Sequence, residues 1–293
     1  MTYEIETNPP SAMDWEKYKS NLMVRWRDLL DSEASNIEKN IQQFLEENPC
    51  LIPGSFGITF SSGHFPFPSA VITQPLLKGL ATKIPDFMWI ASDSGTIYPI
   101  LIEIETPKKR WFTKEGIPHS DFTQAHSQLT SWKTWFNSAA NQQLFLEYYK
   151  VPGELYQTRR IHPLYVLVYG SRREFISAPG LNAMRGHLQG IDETLMTFDR
   201  LAPEEKAQDM LCARFVESAS NRYYDALTVP PTLKLGPLCA NDRARILNKE
   251  EAVRRNGLIS PERKQFLLSR IPYWDQWVHN IFGMHDVSLG DVE

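Results

Sequence analysis

Three acidic residues lie where their side chains could share a divalent metal ion. Asp86 opens one apolar segment, and Glu103 and Glu105 lie within the next one, Tyr-Pro-Ile-Leu-Ile-Glu-Ile-Glu. Residues two apart on a strand point to the same face, so the two glutamates would be neighbours. Burying them is costly unless a cation or hydrogen bonds compensate. The pattern predicts a site for Mg²⁺, with Mn²⁺ as an alternative, because hard cations prefer carboxylate oxygens.

Each of these acids also has an ordinary structural interpretation. Asp86 follows Pro85, so its carboxylate could simply cap a turn or a strand. The glutamate pair could lie on the solvent-exposed face of an edge strand. The apolar residues on either side of Glu103 and Glu105 argue against that exposed face, because they indicate a strand in the centre of a sheet.

The elements that must position the acids are strands joined by a tight turn. Residues 86–90 and 98–105 are strand-like, and the Ser-Asp-Ser-Gly sequence at 92–95 between them is typical of a hairpin. The continuous apolar run 164–169 predicts a third, buried strand, and 195–198 a short fourth one. The acids are therefore predicted to sit on a small sheet.

Helices are predicted on either side of these strands. Apolar residues recurring every three or four positions predict two helices within 13–47, broken near 31–32, and one long helix over 120–149 that Ser120 caps. A further helix is predicted from 199 to about 219. A Pro-rich segment follows residue 226, and helical patterns return after residue 241.

Two polar residues on the predicted helices could belong to the site. Glu38 lies three residues after Ser35, which is capping-box spacing, so it could cap a helix or join the acids. Gln128 lies on the long helix and could orient a water or a phosphate, although a lone glutamine is often a surface residue. Both alternatives stay open from the sequence.

A basic loop follows directly after the acidic strand. Its position favours contacts to a DNA backbone, with Trp111 able to pack or to stack, although a solvated turn is the simpler alternative. Two arginines after the third predicted strand have a similar, weaker claim. The candidate cationic residues are Lys108, Lys109, Arg110, Lys114, Arg172 and Arg173.

Composition limits the classes of protein that remain. The chain has 293 residues and a formal net charge of −4, so its overall charge does not indicate nucleic-acid binding. Its three cysteines are far apart, which predicts free thiols in a reducing cytoplasm and argues against structural zinc. Neither a signal peptide nor an apolar run long enough to span a membrane is present. We therefore expect a cytoplasmic protein without a membrane partner.

The order of the motifs resembles that of known nucleases. An Asp at one strand and a Glu-x-Lys pair on the next is the pattern of the PD-(D/E)xK superfamily. The longer stretch ILIEIETPKKRWFTKEGIPHSDFTQAHSQLTSW resembles the core of Shedu-type anti-phage defence proteins. IEKNIQQFLEENPCLI upstream, and YVLVYGSRREF and ETLMTFDRL downstream, extend the resemblance over about residues 33–210.

The resemblance implies a fold, an activity and a set of site residues. The implied fold is α/β, a restriction-endonuclease-like core with a mixed central sheet flanked by helices, plus helical additions at both ends. The implied activity is Mg²⁺-dependent cleavage or nicking of phage DNA by a homo-oligomer. The implied catalytic or metal-binding positions are Asp86, Glu103, Glu105 and Gln128, with Glu38 as the acid of the N-terminal helix.

Glu105 departs from the usual pattern, because many members of the superfamily have lysine there. A carboxylate can act as a general base or a metal ligand, but it cannot supply positive charge to the transition state. Lys108 or Lys109 could supply that charge from the loop.

Three regions are predicted: an N-terminal helical lead-in (1–32), a Shedu-like nuclease core (33–225), and a Pro-rich and helical C-terminal region (226–293). The leading hypothesis is a metal-dependent DNA endonuclease in antiviral defence. The alternatives are a catalytically degenerate nuclease fold that binds DNA or regulates, and an oligomeric interaction protein without a nucleic-acid role.

Overall fold

The computed structural model describes residues 3–56, 66–79, 82–153, 157–176, 178–219, 221–236, 246–276 and 293. Within them, a nine-stranded mixed sheet is flanked by helices, which is the mixed α/β architecture expected from the sequence. The strands are β1 (Ala70–Thr73), β2 (Phe87–Ser92), β3 (Thr96–Ile104), β4 (Arg160–Ile161), β5 (Leu164–Val168), β6 (Glu193–Met196), β7 (Leu211–Glu217), β8 (Arg222–Thr228) and β9 (Ile246–Leu247). The α-helices are α1 (Trp15–Asp31), α2 (Glu38–Glu47), α3 (Ser120–Phe136), α4 (Ala139–Tyr148), α5 (Arg173–Ile176), α6 (Pro179–Leu188), α7 (Lys249–Arg255) and α8 (Pro261–Asp275).

The sheet topology brings the ends of three strands together. The strand order is β6-β5-β3-β2-β1-β7-β8-β9, and β4 pairs with β3. β1, β2 and β3 form an antiparallel meander, whereas β3, β5 and β6 are parallel. Ile104 pairs with Val168, and Val168 pairs with Met196, so these three parallel strands end at the same edge. The residues that follow each of them are therefore neighbours in space.

Each face of the sheet covers its own hydrophobic core. Ile100, Ile102 and Ile104 of β3 point into one cluster, which includes Trp26 of α1 and Ile41 of α2. The opposite face holds Leu101 of the same strand against apolar residues of α3 and α4. Alternating side chains of β3 are thus buried on both sides, which confirms that this strand is central.

The predicted hairpin and strands are confirmed with small shifts of their ends. Asp93 Oδ1 accepts the backbone N–H of Gly95 at 2.8 Å and of Thr96 at 2.7 Å. This side chain therefore builds the turn between β2 and β3, as Asx residues commonly do.

The helix predicted from 199 to about 219 is wrong. Two single turns of 3-10 helix, Phe198–Arg200 and Glu205–Ala207, are followed by strand β7. β7 pairs with β1 in parallel and with β8 in the antiparallel direction. Helix-forming residues before Met210 suggested a helix, but two strand partners from other parts of the chain decide the conformation.

Three predicted helix boundaries differ from the structure. The long helix over 120–149 is two helices, because Ser138 caps α4 by accepting the N–H of Asn141. His119, not Ser120, is the N-cap of α3. The capping box is also wrong, since the Ser35 hydroxyl donates to backbone carbonyls before it, and α2 begins at Glu38 without a side-chain cap.

The C-terminal region packs onto the core where the structure describes it. Val229 and Leu233 of the Pro-rich segment are buried, so this segment packs on the core, and it contains a turn in which the Leu233 N–H donates to the Pro230 carbonyl at 3.2 Å. Ile246–Leu247 form strand β9 rather than part of the helical pattern predicted after residue 241. The sequence predicts that the aromatic residues of the last helix make core or oligomer contacts, and Trp274 is buried in the core. Trp277, Phe282 and the predicted frayed end from residue 285 lie outside the described residues.

Two predictions from composition also have structural counterparts. Cys50 and Cys212 are buried free thiols, and Cys239 lies outside the described residues. Across the described ranges, no helix combines the length and apolar character needed to cross a membrane. The division into regions 1–32, 33–225 and 226–293 stays a prediction.

Candidate active site

Asp86 is fixed against the end of β3 by backbone hydrogen bonds. Phe87 pairs with Ile102, so Asp86 lies opposite Glu103 in the extended register. The Asp86 N–H donates to the Ile102 carbonyl at 3.1 Å, and the Ile104 N–H donates to Asp86 Oδ2 at 2.7 Å. The carboxylate thus caps the strand end, and the same bonds hold it beside Glu103.

Glu103 is buried without full compensation. Glu103 is only 7% exposed. Among the described residues, its Oε2 atom has no hydrogen-bond partner. Burial raises the pKa of Glu103, and the negative charges of Asp86, Glu105 and Glu38 raise it further. The carboxylate therefore lacks the cation or donors that a buried charge requires.

Burial and neighbouring negative charges also raise the pKa values of Asp86 and Glu38. Burial raises the pKa of Asp86 to about 7, with a further increase from Glu38 and Glu105 and a partial offset from the Ile104 N–H. The pKa of Glu38 is also raised, first by partial desolvation and then by Glu105. Glu38 thus belongs to the acidic group through its electrostatics, although it is more exposed than the other acids.

Lys109 supplies the positive charge that position 105 lacks. Glu105 is 8% exposed, and its N–H donates to the Val168 carbonyl at 3.1 Å. Lys109 Nζ forms an ion pair with Glu105 Oε2, whereas Lys108 instead pairs with Glu33 at 3.0 Å. Of the two candidate lysines, the structure brings Lys109 to the acids.

The basic loop is anchored by its aromatic residues. Trp111 is fully buried and packs on Phe122, with ring centroids 4.9 Å apart, and on Tyr169 at 5.3 Å. The N–H groups of Trp111 and Phe112 donate to the Glu174 carboxylate at 2.9 and 3.0 Å. Trp111 therefore packs, and the alternative that it stacks on DNA is wrong.

Gly170 allows this loop to approach β5. Its φ of +62° lies in the left-handed region, which favours glycine. A Cβ here would lie 2.7 Å from Trp111 Nε1 and 2.8 Å from the Lys109 carbonyl oxygen. The glycine thus positions the segment that carries Lys109.

Gln128 lies on α3 and is half-buried. It precedes Trp135 by seven residues and so shares its side of the helix, and the Trp135 indole N–H donates to the Lys78 carbonyl at 3.0 Å. That side faces the connection between β1 and β2, which leads to Asp86. Within the described residues, however, no contact joins the Gln128 amide to the acids.

Two of the remaining cationic candidates, Arg110 and Arg173, line a cleft next to the acids, whereas Lys114 and Arg172 do not. Arg110, Lys114 and Arg172 are exposed, and Arg173 forms an ion pair with Asp31. The cleft has a volume of about 710 Å³. Its cationic lining consists of Arg27, Lys108, Lys109, Arg110 and Arg173. Arg27 was missed in the sequence because it lies on α1, outside the recognised motifs.

A divalent cation fits these acids without a ready-made cage. Across the part of the chain that the structure describes, no three His, Cys, Asp or Glu side chains are arranged to hold a metal. Mg²⁺ does not require such a cage, because it commonly takes one or two carboxylates and completes its shell with water and phosphate. The unpaired Glu103 oxygen beside Asp86 offers that donor set.

Fold and site together define a class: an α/β protein with clustered acids where parallel strands end beside a basic cleft. Residues 35–202 match the family described as Shedu protein SduA, C-terminal. This is more than half of the chain, and the protein belongs to the Shedu family, which implies a role in anti-phage defence. No curated protein matches the chain. The match includes every predicted site residue and excludes α1 and everything after residue 202.

Proposed function

We propose that the protein is a Mg²⁺-dependent DNA endonuclease that nicks or cleaves phage DNA. The observation that carries the proposal is the group of mutually repelling carboxylates at the end of β3. An Asp at the start of β2 and a glutamate pair at the end of the adjacent strand also match the arrangement expected of a PD-(D/E)xK core. Such a group destabilises the empty protein, and a bound cation would relieve it.

Asp86 and Glu103 are the residues that would hold the cation. Asp86 is fixed by the Ile104 N–H, and Glu103 brings an oxygen that has no other partner among the described residues. When bound, Mg²⁺ would polarise the scissile phosphate and lower the pKa of water. Carboxylates buried beside each other are suited to this role because they gain most from a cation.

Glu105 and Lys109 would take the water's proton and stabilise the phosphate's negative charge, respectively. Glu105 would accept a proton from the attacking water, and the Lys109 ammonium forms an ion pair with this carboxylate. The same ammonium group would stabilise negative charge that develops on the phosphate. Gln128 would orient the water or the phosphate from α3. The basic cleft would hold the DNA backbone, in line with the electrostatic affinity of such grooves.

Nicking of supercoiled plasmid, with and without Mg²⁺, tests the proposal. We expect nicking by the wild type only in the presence of the cation, and loss of nicking in Asp86→Asn. Glu147→Gln, which removes an exposed acid of α4, serves as the control and should keep its activity. Metal-independent DNA binding without nicking at any protein concentration would instead favour the degenerate scaffold.

A further inference from the structure

Three arginines converge on a second pocket at the same edge of the sheet. The pocket has a volume of about 360 Å³, and Arg172, Arg185 and Arg200 line it. They come from the turn after β5, from α6 and from the single helical turn after β6. Only Arg172 was a candidate from the sequence, because the other two carry no motif of their own.

Arg185 is held rigidly in this pocket. Its guanidinium lies over the rings of Trp111 and Phe175, at 5.3 and 5.5 Å from their centroids. It donates to the Leu195 carbonyl at 3.0 Å and to Asn182 Oδ1 at 3.2 Å. A guanidinium has five N–H donors, so donors remain for a ligand. Little side-chain entropy would be lost when a ligand binds.

The positive charge in the pocket exceeds the negative charge. Asp199 is its acidic member, and this carboxylate already accepts the Arg172 N–H at 2.6 Å and the Ser171 hydroxyl at 3.3 Å. Within the described residues, none of the three arginine side chains forms an ion pair with a carboxylate. Burial lowers the pKa of Arg185, and the neighbouring Arg200 lowers it further. Such repulsion favours an anionic ligand.

We propose that this pocket binds a phosphate group of the DNA backbone, away from the phosphate that is cleaved. The planar guanidinium matches a phosphate bidentately. Asp199 borders both this pocket and the cleft lined by Lys109, so a bound strand could pass from one to the other. The pocket would then fix the register of the duplex over the acids. This inference rests on the proposed function in its choice of DNA as the ligand.

Binding of a labelled DNA duplex in EDTA tests the inference, because without a divalent cation binding is measured apart from cleavage. We expect Arg200→Gln to weaken binding about tenfold, the loss typical of a charged hydrogen bond. The slope of log K against log salt should fall by about one, as for one lost phosphate contact. Arg185→Gln should behave alike. Arg254→Gln, on the exposed side of α7, removes the same charge and should change neither quantity.

The outcomes separate this inference from the proposed function. Unchanged affinity and salt slope in Arg200→Gln would overturn the pocket even if the wild type nicks plasmid. If Arg200→Gln loses DNA binding while Arg254→Gln keeps it, the pocket is supported. If the wild type also fails to nick plasmid, the proposed nuclease activity is overturned although the pocket stands. Arg200 is exposed, so its substitution should leave the fold intact even if Arg185→Gln unfolds. Absence of DNA binding by the wild type would overturn the pocket as well.

Discussion

At the scale of single residues, burial of the acids near the end of β3 lowers the stability of the folded protein. Glu103 is buried with an unpartnered oxygen, and Asp86 is held beside it by a backbone bond. Either acid alone could have been a strand cap or a surface residue. Together, with Lys109 paired to Glu105, they form a group of buried acids whose repulsion a bound cation would relieve under the proposed function.

Stability should fall as pH rises because of these acids. The pKa of Asp86 rises from 3.8 to about 7 on folding, so between these values the folded state binds more protons than the unfolded state. Its stability is therefore present at low pH and lost as pH rises through about 7. Burial also raises the pKa of Glu103, to about 10, so at pH 8 folding requires this carboxyl group to take up a proton. Glu103→Gln has no such group and should be more stable than the wild type at pH 8 by about 2 kcal/mol. Chemical denaturation at pH 5 and pH 8 checks this, and an equal pH dependence in both proteins would contradict it.

Lys109 should set the protonation of the acids. Its charge lowers the pKa of Glu103 and of Glu38, so Lys109→Met should shift the rising limb of the nicking rate to higher pH and reduce the rate about tenfold or more. Lys109→Arg should recover part of the rate. Lys19→Met, at a partly exposed position of α1, is the control. A pH profile of Lys109→Met that coincides with that of the wild type would contradict the assignment.

At the scale of elements, parallel strands and one loop assemble the site. β3, β5 and β6 end together, and the loop after β3 is anchored by Trp111 and by the Glu174 carboxylate. Gly170 permits the close approach of that loop to β5. The Tyr169 hydroxyl donates to the Arg110 carbonyl at 3.1 Å and fixes the loop further.

Gly170→Ala should disturb the site through this loop. The substitution combines a left-handed backbone with a clash against Trp111 and the Lys109 carbonyl. We expect a loss of about 1–3 kcal/mol in the free energy of unfolding and slower nicking in the protein that stays folded. Gly186→Ala on α6 is a matched control, because its added Cβ meets no atom within 4 Å. Equal thermal stability of the two variants would show that the close approach is unimportant.

The sequence predicts elements well where the pattern is local and strong. β2, the hairpin and β3 are predicted by their own apolar and turn-forming residues. The acids that they position are predicted by their spacing within the same segments. β7 was mistaken for a helix because its pairing partner β1 lies far away in the chain. The pocket arginines were missed for the same reason: Arg185 and Arg200 become neighbours only when α6 packs against the end of β6.

At the scale of the whole molecule, the family core carries the acids and the additions surround it. The Shedu match ends at residue 202, so the sheet extension from β7 to β9 lies beyond it. α1 precedes the match, and it supplies Arg27 and one wall of the basic cleft. The overall charge of −4 is compatible with the proposed DNA partner, because five basic residues line the cleft near the acids.

Mg²⁺ should stabilise the whole protein through the acids. A ligand that binds only the folded state raises its stability with concentration, by about 2.7 kcal/mol at a hundred times Kd. We expect the Tm at pH 8 to rise with Mg²⁺ in the wild type and in Glu147→Gln, but not in Asp86→Asn or Glu103→Gln. An equal rise in all four proteins would place the bound cation elsewhere.

Single-turnover cleavage of a DNA duplex by Glu103→Gln tests the central claim most directly. The substitution keeps the shape of the side chain and removes its charge, and DNA binding measured in EDTA confirms that the substrate is still held. We predict a rate at least about 100-fold below that of the wild type in Mg²⁺, as expected when a catalytic metal ligand is lost. Cleavage by Glu103→Gln at the wild-type rate would contradict the assignment of the acids at the end of β3 as the active site.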